Sequence, residues 1–277
     1  MIRKLNCGCG ARIAAGWTNI DFHSEIRQVQ HVNLLRGLPF PANSFDFAYS
    51  SHLIEHFTLD EASFLMKEVH RVLKPGGVVR TVVPDLAESV CEYLRILELP
   101  DSDPDKATLY NWVKIELLDQ LVRTSPGGRM KVFTESAKLR GDSQMLAYIS
   151  SRTENAACSP GLIAGRKRFI ERLVGLSRDK LFQRLTYAYL AVVKGLIPLS
   201  LRSMVVSDTA IGEKHRWMYD RYGVSLLMNS VGFIDISLRR FNESAIPGFL
   251  EDNLDSNASG FPYKNVSIYC EARKNTV

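Results

Sequence analysis

The sequence lacks an N-terminal apolar run, and it has few cysteines. Residues 1–10 contain no stretch like that of a secretory signal peptide, so we expect a cytoplasmic protein. The five cysteines are odd in number and scattered, which fits a reducing compartment better than a cross-linked secreted protein. No repeat or low-complexity segment occurs, and 45% hydrophobic with 23% charged residues is an ordinary globular composition. Disordered, fibrous and disulfide-scaffold classes are therefore disfavoured.

Metal-binding patterns are missing as well. Cys7 and Cys9 form a Cys-x-Cys pair, but no second pair and no histidine at zinc-finger spacing follow them. Structural zinc sites normally recruit four ligands. No clustered carboxylates indicate a magnesium site either. The sequence alone therefore predicts no metal site.

The first hundred residues alternate between strand and helix patterns. Short apolar runs predict strands at Ile2–Asn6, Trp17–Ile20, Val29–Val32, Phe45–Tyr49 and Val78–Val83. Thr58 with Glu61 three positions later predicts a helix start with a capping box, and the helix is expected to stop at residues 74–77. Such alternation predicts a mostly parallel α/β sheet of the Rossmann-like type.

The remaining chain divides into two parts. We predict a core at 1–98, a mostly helical insertion at 99–208, and a completion of the α/β core at 209–277. In the last part, a helix is expected from about Asp220 to Ser230. Two strands, Phe233–Arg239 and Val266–Ala272, are expected to pair antiparallel at the sheet edge.

The chain positions that follow the first two predicted strands indicate a nucleotide-like ligand. Gly8 and Gly10 come directly after the first strand, where their lack of a side chain permits tight turning and close approach of main-chain N–H groups. Asp21 ends the second strand, where a carboxylate can accept both hydroxyls of a ribose. The gap between Gly10 and Asp21 is short for a dinucleotide site, whose acid lies roughly 20 residues on, and a third glycine is absent. Both facts argue against NAD and FAD, while a turn or capping role for Asp21 stays open.

Five motifs in order give this chain a family resemblance. They are Leu5-Asn-Cys-Gly-Cys-Gly10, Gly16-Trp-Thr-Asn-Ile-Asp21, Leu38-Pro-Phe-Pro41 with Ser44-Phe-Asp46, Ser50-Ser-His-Leu-Ile-Glu-His56, and Arg71-Val-Leu-Lys-Pro-Gly-Gly77. The chain resembles the class I methyltransferases that use S-adenosylmethionine (SAM), and within them a bacterial group with these motifs. The resemblance is close over about a third of the chain.

The resemblance implies cofactor roles for particular residues. The turn after the first strand would surround the methionine part of SAM, and its residues are Asn6, Cys7, Gly8, Cys9 and Gly10, with Asn6 in place of the usual acid. Asp21 would hold the ribose, and Phe22 or Leu34 would pack on the adenine. Asn33 stands where many relatives have an aspartate that contacts the adenine amino group, and an amide can still form that bond. Ser50, Ser51 and His52 would pass beside the sulfonium.

Two histidine-containing segments are candidates for the catalytic base. His52 or His56 could accept a proton from a hydroxyl acceptor, with Glu55 orienting either ring. His56 and Glu55 could equally be a helix-start cap and a packing contact. The second candidate is His215 paired with Asp220, in a stretch similar to one in the resembling group. Trp217 or Tyr219 there could stack on a sugar, and the alternative is a buried histidine beside a packed tryptophan.

The acceptor is expected to be a hydroxyl of a sugar or glycan. An Asn/Asp-Pro-Pro-Tyr motif is missing at Ser50–His52, which argues against nucleobase amines and amide nitrogens as acceptors. The resembling group is frequently associated with surface-polysaccharide synthesis. Two other hypotheses stay open: methylation of a small metabolite or amine, and a SAM-fold binding protein without turnover.

One basic segment carries the whole net charge of +5. Seven basic residues stand against two acidic ones over residues 161–184, and alternation with apolar residues predicts an amphipathic helix at 166–185. This helix could cap the acceptor pocket or lie on an anionic membrane at the inner face. The apolar run after it, 185–201, is short for a membrane span and is interrupted by Lys194 and Pro198. One such segment without an RNA-binding fold argues against a nucleic-acid partner.

Overall fold

A mixed β-sheet forms the centre of the protein. The computed structural model describes residues 2–24, 26–153, 189, 192–193, 195–197, 212–257 and 259–276. Within these residues the strands are β1 (Lys4–Cys7), β2 (Trp17–Asp21), β3 (Gln30–His31), β4 (Phe45–Ser51), β5 (Leu73–Pro84), β6 (Phe233–Arg239) and β7 (Ser267–Lys274). The predicted basic helix at 166–185 lies outside the described residues.

The strand order is β3-β2-β1-β4-β5-β7-β6. Strands β1 to β5 pair in parallel, whereas β7 runs antiparallel to both of its neighbours, β5 and β6. The sequence-based expectation of a mostly parallel Rossmann-like sheet with an antiparallel edge is therefore confirmed. The strand order changes direction at β1, because β2 and β3 lie on one side of it and β4 and β5 on the other. Open α/β sheets bind their ligands at such a switch point, in the crevice at the carboxyl ends of the strands.

Helix α1 (Leu59–Val72) begins as the sequence predicts. The side chain of Thr58 accepts a hydrogen bond from the amide of Glu61, and the Glu61 carboxylate accepts one from the amide of Thr58. The predicted end of the helix needs a correction, because β5 starts at Leu73 and not at Val78. Leu73 pairs directly with Phe45 of β4, so the chain enters the sheet before the Pro-Gly-Gly turn. The next pair is Val78 with Phe47, so the residues of the turn form an irregularity in the strand pairing.

The two faces of the sheet are covered differently. One face packs against α1 and the helix α6 (Arg221–Ser230), and its core includes Leu5, Leu65 and Met228. The opposite face packs against the chain segment 241–254, with Trp17 and Phe249 in contact across it. Among the described residues, this segment, which contains one short 3-10 helix, covers the second face.

A buried ion network fixes that segment to the sheet. Arg80 on β5 is 0% exposed, and its guanidinium donates to Asp255 at 2.6 Å and to Glu271 at 2.8 Å. It also donates to the backbone carbonyls of Arg240 and Glu243. Because every partner lies in the last forty residues, this one arginine ties the C-terminal chain across the sheet.

The helices after β5 have a hydrophobic core of their own. They are α2 (Leu86–Leu97), α3 (Lys106–Val122), α4 (Gly128–Leu139) and α5 (Ser143–Arg152). Trp112 and Ile149 are buried between them. The predicted domain boundaries at 98 and 208 stay a prediction, since much of that range lies outside the described residues. Among the described helices, none combines the length and apolar character needed to cross a membrane.

Candidate active site

The turn after β1 is the first part of the site. Gly8 and Gly10 have φ values of +63° and +52°, a backbone conformation that other residues adopt only under strain. A Cβ on Gly8 would lie 2.4 Å from Cδ1 of Leu53, whereas a Cβ on Gly10 would meet no atom within 4 Å. The chain therefore turns tightly here, with the Gly10 side facing open space.

Asp21 holds this turn from the end of β2. Its Oδ2 accepts a hydrogen bond from the amide of Gly10 at 2.8 Å, and its Oδ1 accepts one from the amide of His23 at 3.1 Å. A carboxylate has about four lone-pair positions, so two remain for other donors. The glycine turn and this carboxylate, both predicted as cofactor residues, are thus in direct contact, and their roles in binding SAM stay a prediction.

Asn6, Cys7 and Cys9 are the buried side chains of this turn. Asn6 is buried and donates to the backbone carbonyl of Arg12 and to the side chain of Asn19, both at 2.9 Å. Burial raises the pKa of the Cys7 thiol, and Cys7 packs in the main core. Burial and then the charge of Asp21 raise the pKa of Cys9 to about 12. Both thiols are therefore neutral at physiological pH.

The residues expected near the adenine and the sulfonium differ in exposure. Phe22 is exposed and Leu34 is buried in the main core. Asn33 is exposed, and its side chain caps a short 3-10 helix by accepting from the amide of Leu35. Ser50 is buried against Thr81, with 3.3 Å between their hydroxyl oxygens. Of this group, Phe22 and Asn33 are the residues that a ligand can reach without repacking the core.

A cavity of about 300 Å³ joins the glycine turn to the histidines. Eight of the predicted site residues line it: Asn6, Gly8, Cys9, Gly10, Ser51, His52, His56 and His215. Sequence reasoning missed the other lining residues, which are Ala11, Arg12, Tyr49, Gln120, Gly212, Leu254, Tyr263 and Lys264. The first three adjoin the predicted motifs, whereas the other five are distant in the sequence and carry no motif that could have revealed them.

Arg12 forms the wall between this cavity and a second one. The second hollow, about 550 Å³, is lined by Arg12 and by the chain at 252–257, and it contains none of the predicted site residues. The guanidinium of Arg12 donates to the carbonyls of Asn253 and Ser256 and lies 3.9 Å from the ring centroid of Tyr263. It therefore holds the C-terminal loop against the glycine turn.

His52 stands at the carboxyl end of β4 in an unusual backbone conformation. Its φ is +49°, which a non-glycine residue seldom adopts, and such strain is often found at functional positions. Its Nε2 lies 3.0 Å from Oγ of Ser267, and its Nδ1 lies 3.3 Å from Oε1 of Glu55. The ring is thus held at both nitrogens, at the wall of the cavity.

Glu55 is a fully buried carboxylate beside three histidines. Burial raises its pKa, but the contact and charge of His52, and then the charges of His56 and His215, outweigh burial and lower the pKa to about 2. The group is therefore an anion at any physiological pH. It does not line the cavity, and it lies behind the histidines that do.

The segment at 213–217 brings His215 to this carboxylate. Its backbone is fixed from both sides, because the carbonyl of Glu55 accepts from the amides of Arg216 and Trp217, and the carbonyl of Gln120 accepts from the amide of His215. The His215 ring lies 5.0 Å from the His56 ring, centroid to centroid. Burial lowers the pKa of His215 to about 4, although Glu55 opposes this, so the imidazole is neutral.

The predicted pair of His215 and Asp220 is not formed by side-chain contact. Asp220 caps α6, since its Oδ1 accepts from the amide of Gly223 at 2.7 Å, while Nε2 of His215 lies 3.0 Å from Nε2 of Gln120. The Asp220 carboxylate is therefore engaged at the start of α6, and the neighbours of the His215 ring are Gln120 and His56. Of the two aromatic candidates, Trp217 is 46% exposed, whereas Tyr219 is buried.

Comparison with known proteins gives one family match. Residues 5–81 match the family model described as a methyltransferase domain. This range includes the glycine turn, Asp21, His52, Glu55 and His56. No curated protein matches the chain.

Solved structures give partial likenesses. A cyclase of the 4+2 type is 23% identical over 29% of this chain and 38% of its own, with a TM-score of 0.24. A complex of a methyltransferase with its activator from Haloferax volcanii is 19% identical over 32% and 48%, with a TM-score of 0.26. A SAM-dependent methyltransferase from Methanosarcina mazei is 14% identical over 99% and 93%, with a TM-score of 0.41. The chain spans less than half the length of the first two.

The family match is confined to the N-terminal part of the chain. Residues 5–81 are similar to a methyltransferase domain, for which the expected cofactor is SAM. The residues present fit the cofactor: Gly10 faces open space, and Asp21 keeps two lone-pair positions while it holds the turn.

Proposed function

We propose that this chain transfers the methyl group of SAM to a hydroxyl group of a sugar or glycan acceptor. One observation carries the proposal: a single cavity of about 300 Å³ is lined by the glycine turn on one side and by His52, His56 and His215 on the other. Methyl transfer requires that nucleophile and methyl donor meet in line within one water-excluding space. The glycine turn would form the cofactor end of this cavity, and the three histidines would form its acceptor end.

The cofactor end binds SAM through main chain and one carboxylate. The amides around Gly8 and Gly10 would surround the methionine part, and Asp21 would accept the ribose hydroxyls. Phe22 and Asn33 are exposed near the end of β2 and after β3, where an adenine would lie. Bound there, SAM supplies a methyl group that the acceptor oxygen displaces from sulfur, which leaves S-adenosylhomocysteine.

The acceptor end would remove the proton that this reaction releases. Nε2 of His52 would exchange its contact with Oγ of Ser267 for the acceptor hydroxyl and accept its proton as the new carbon–oxygen bond forms, because a protonated hydroxyl attacks poorly. Glu55 orients the His52 ring through the 3.3 Å contact with Nδ1, and its negative charge stabilises the imidazolium. Trp217 is exposed on the segment that carries His215 and would stack on a sugar ring.

The acceptor class is tested with labelled SAM. Nucleotide sugars and oligosaccharides form one panel and small amines form a second, with transfer of the label measured for each. We expect label on a sugar-containing acceptor. Label on amines alone would contradict the hydroxyl assignment, and SAM binding by calorimetry without any transfer would indicate a binding protein.

The proposed location is the cytoplasm, with the basic segment at 166–185 in contact with the inner membrane face. Its support is the charge pattern of that segment, seven basic against two acidic residues over 161–184. Sedimentation with vesicles tests this, and we expect binding to anionic lipid that falls with salt and is absent for neutral lipid. Equal binding to both would contradict it.

A further inference from the structure

Three side chains with metal-binding atoms meet at the acceptor end of the cavity. Glu55, His56 and His215 each offer one such atom, and these atoms all lie within 4.8 Å of one another. Glu55 is 0% exposed and His215 is 6% exposed. Two imidazoles and one carboxylate form the donor set of many catalytic zinc sites.

The buried Glu55 carboxylate has one ion-pair contact, with Nδ1 of His52 at 3.3 Å, and is otherwise poorly satisfied. Among the residues that the structure describes, no donor gives either of its oxygens a hydrogen bond of ordinary geometry. Burying an ionised carboxylate is unfavourable unless it is paired or coordinates a metal. A cation between Glu55 and the two histidines would satisfy this group.

Both imidazoles are held at one nitrogen, which leaves the other available. Nδ1 of His56 lies 3.1 Å from the carbonyl oxygen of Lys214, so its Nε2 remains for a ligand. Nε2 of His215 is held by the Gln120 amide, so its Nδ1 remains. The two ends of an amide exchange by a simple flip, and the oxygen would then accept from the His215 ring. Metal-binding histidines usually donate their second N–H to a carbonyl in this manner.

We propose that Glu55, His56 and His215 bind a divalent transition-metal ion, with Zn²⁺ as the ion that this donor set favours. Ligand atoms of a tetrahedral zinc lie about 3.4 Å apart, so binding would draw the three side chains together. His56 and His215 line the cavity, so the fourth coordination position faces it.

The metal would act on the acceptor. A hydroxyl bound at the fourth position becomes a stronger acid, which assists proton removal by His52. This role rests on the proposed function, whereas metal binding itself does not. The two are therefore measured separately.

Binding is tested on the full chain after removal of metal by dialysis against a chelator. Zn²⁺ is titrated by calorimetry, and Co²⁺ serves as a probe because its visible absorption reports four- or five-coordinate geometry. We expect one ion per chain. His56→Ala and His215→Ala should each weaken binding by more than about 100-fold, because even residues that only hold a ligand are worth 10–100-fold.

Two further variants separate this site from adventitious binding. His23 and His31 also lie close, with 5.9 Å between ring centroids, and His31 is exposed. His31→Ala should leave the stoichiometry and affinity unchanged. Gln120→Ala keeps all three ligands and should weaken binding about 10- to 100-fold, because it frees the His215 ring.

Circular dichroism and SAM calorimetry report whether each variant folds. The metal site is contradicted if one-to-one binding is missing, if His31→Ala abolishes it, or if Gln120→Ala, His56→Ala and His215→Ala all leave it intact. SAM binding and methyl transfer are recorded in parallel for the metal-free and the Zn²⁺-loaded protein. Absence of SAM binding and transfer in both forms would count against the proposed function, and one-to-one metal binding would stand independently.

Discussion

The cofactor end of the cavity is formed mainly by main chain, whereas the acceptor end is formed by side chains. The cofactor end is lined by residues 8–10, and the carboxylate of Asp21 holds this turn without lining the cavity, so everything that forms this end lies within the first 21 residues. The acceptor end consists of side chains brought from four distant segments, around His52, Gln120, His215 and Lys264. Binding by main chain depends little on side-chain identity, whereas a side-chain site can change its substrate by substitution. The comparison suggests that cofactor and acceptor binding can be disabled separately.

The largest expected effect separates the two ends by their kinetics. His52→Ala should lower turnover by roughly 10²- to 10⁴-fold, the contribution of a general base, and leave the Kd for SAM nearly unchanged. Asp21→Ala should do the reverse and weaken SAM binding roughly 10- to 100-fold, because a hydrogen bond to a charged group contributes about 1.5–3 kcal/mol. Calorimetry and steady-state rates measure both.

Two matched variants control this experiment. Asp21→Asn can still accept from the Gly10 amide, so it distinguishes loss of the ribose contact from collapse of the turn. His70→Gln changes a histidine that packs against Phe233, away from the cavity, and should leave turnover unchanged. If His52→Ala abolished SAM binding, the division between the two ends would be wrong.

The second prediction concerns the C-terminal segment that contributes Leu254 to the cavity and that Arg80 holds to the sheet. Arg80→Ala leaves Asp255 buried without its ion-pair partner and Glu271 with only a 3.6 Å contact to Arg239, which should lower the free energy of unfolding by about 3–5 kcal/mol. Denaturant unfolding measures the loss. Arg95→Ala is the control, since its pair with Glu92 is surface-exposed on α2 and contributes less than about 1 kcal/mol. Equal losses in the two variants would show that the buried network around Arg80 does not stabilise this segment.

A third prediction distinguishes the two glycines. Gly10→Ala places a side chain in open space, so only backbone strain of about 1–2 kcal/mol is expected. Gly8→Ala adds an overlap with Leu53, and overpacking of this kind contributes about 1–3 kcal/mol more. The double variant Gly8→Ala with Leu53→Ala should recover the overlap part, as thermal unfolding would show. Equal effects of the two single variants would contradict the assigned contact.

The smallest expected effect is on thiol chemistry at the cofactor end. The pKa of Cys9 is raised to about 12, so at pH 8 almost none of this thiol is ionised, and Cys7 is protected in the same way. Cys91 on α2 is exposed. Iodoacetamide followed by site-resolved mass spectrometry should label Cys91 well before Cys7 or Cys9. Equal labelling would show that the turn opens readily in solution.

The sequence predicts the cofactor end far better than the acceptor end. Gly8, Gly10 and Asp21 lie close together in the chain and follow strands, so local patterns reveal both their elements and their meeting point. The Thr58 capping box is local too and is confirmed. The end of α1 was predicted too late, because the pairing of Leu73 with Phe45 is a long-range contact that outweighs the local Pro-Gly-Gly signal.

The acceptor end depends on contacts that no local pattern encodes. The pair of His215 and Asp220 is predicted from a stretch similar to one in the resembling group, but in the fold the Asp220 carboxylate caps a helix instead. Gln120 holds His215 from almost a hundred residues away. Glu55 was recognised as a partner for a histidine, yet its full burial among three of them follows only from how the segment at 213–217 folds back.

The position of β7 has a consequence for folding. This strand lies between β5 and β6, although it is the last described strand in the chain. Until it arrives during synthesis, β5 presents an open edge and β6 has no neighbour to pair with. An unpaired strand edge is a template for association between chains. Nascent chains released before residues 267–274 are made should therefore aggregate through β5. By pairing with both β5 and β6, β7 covers these edges and completes the sheet.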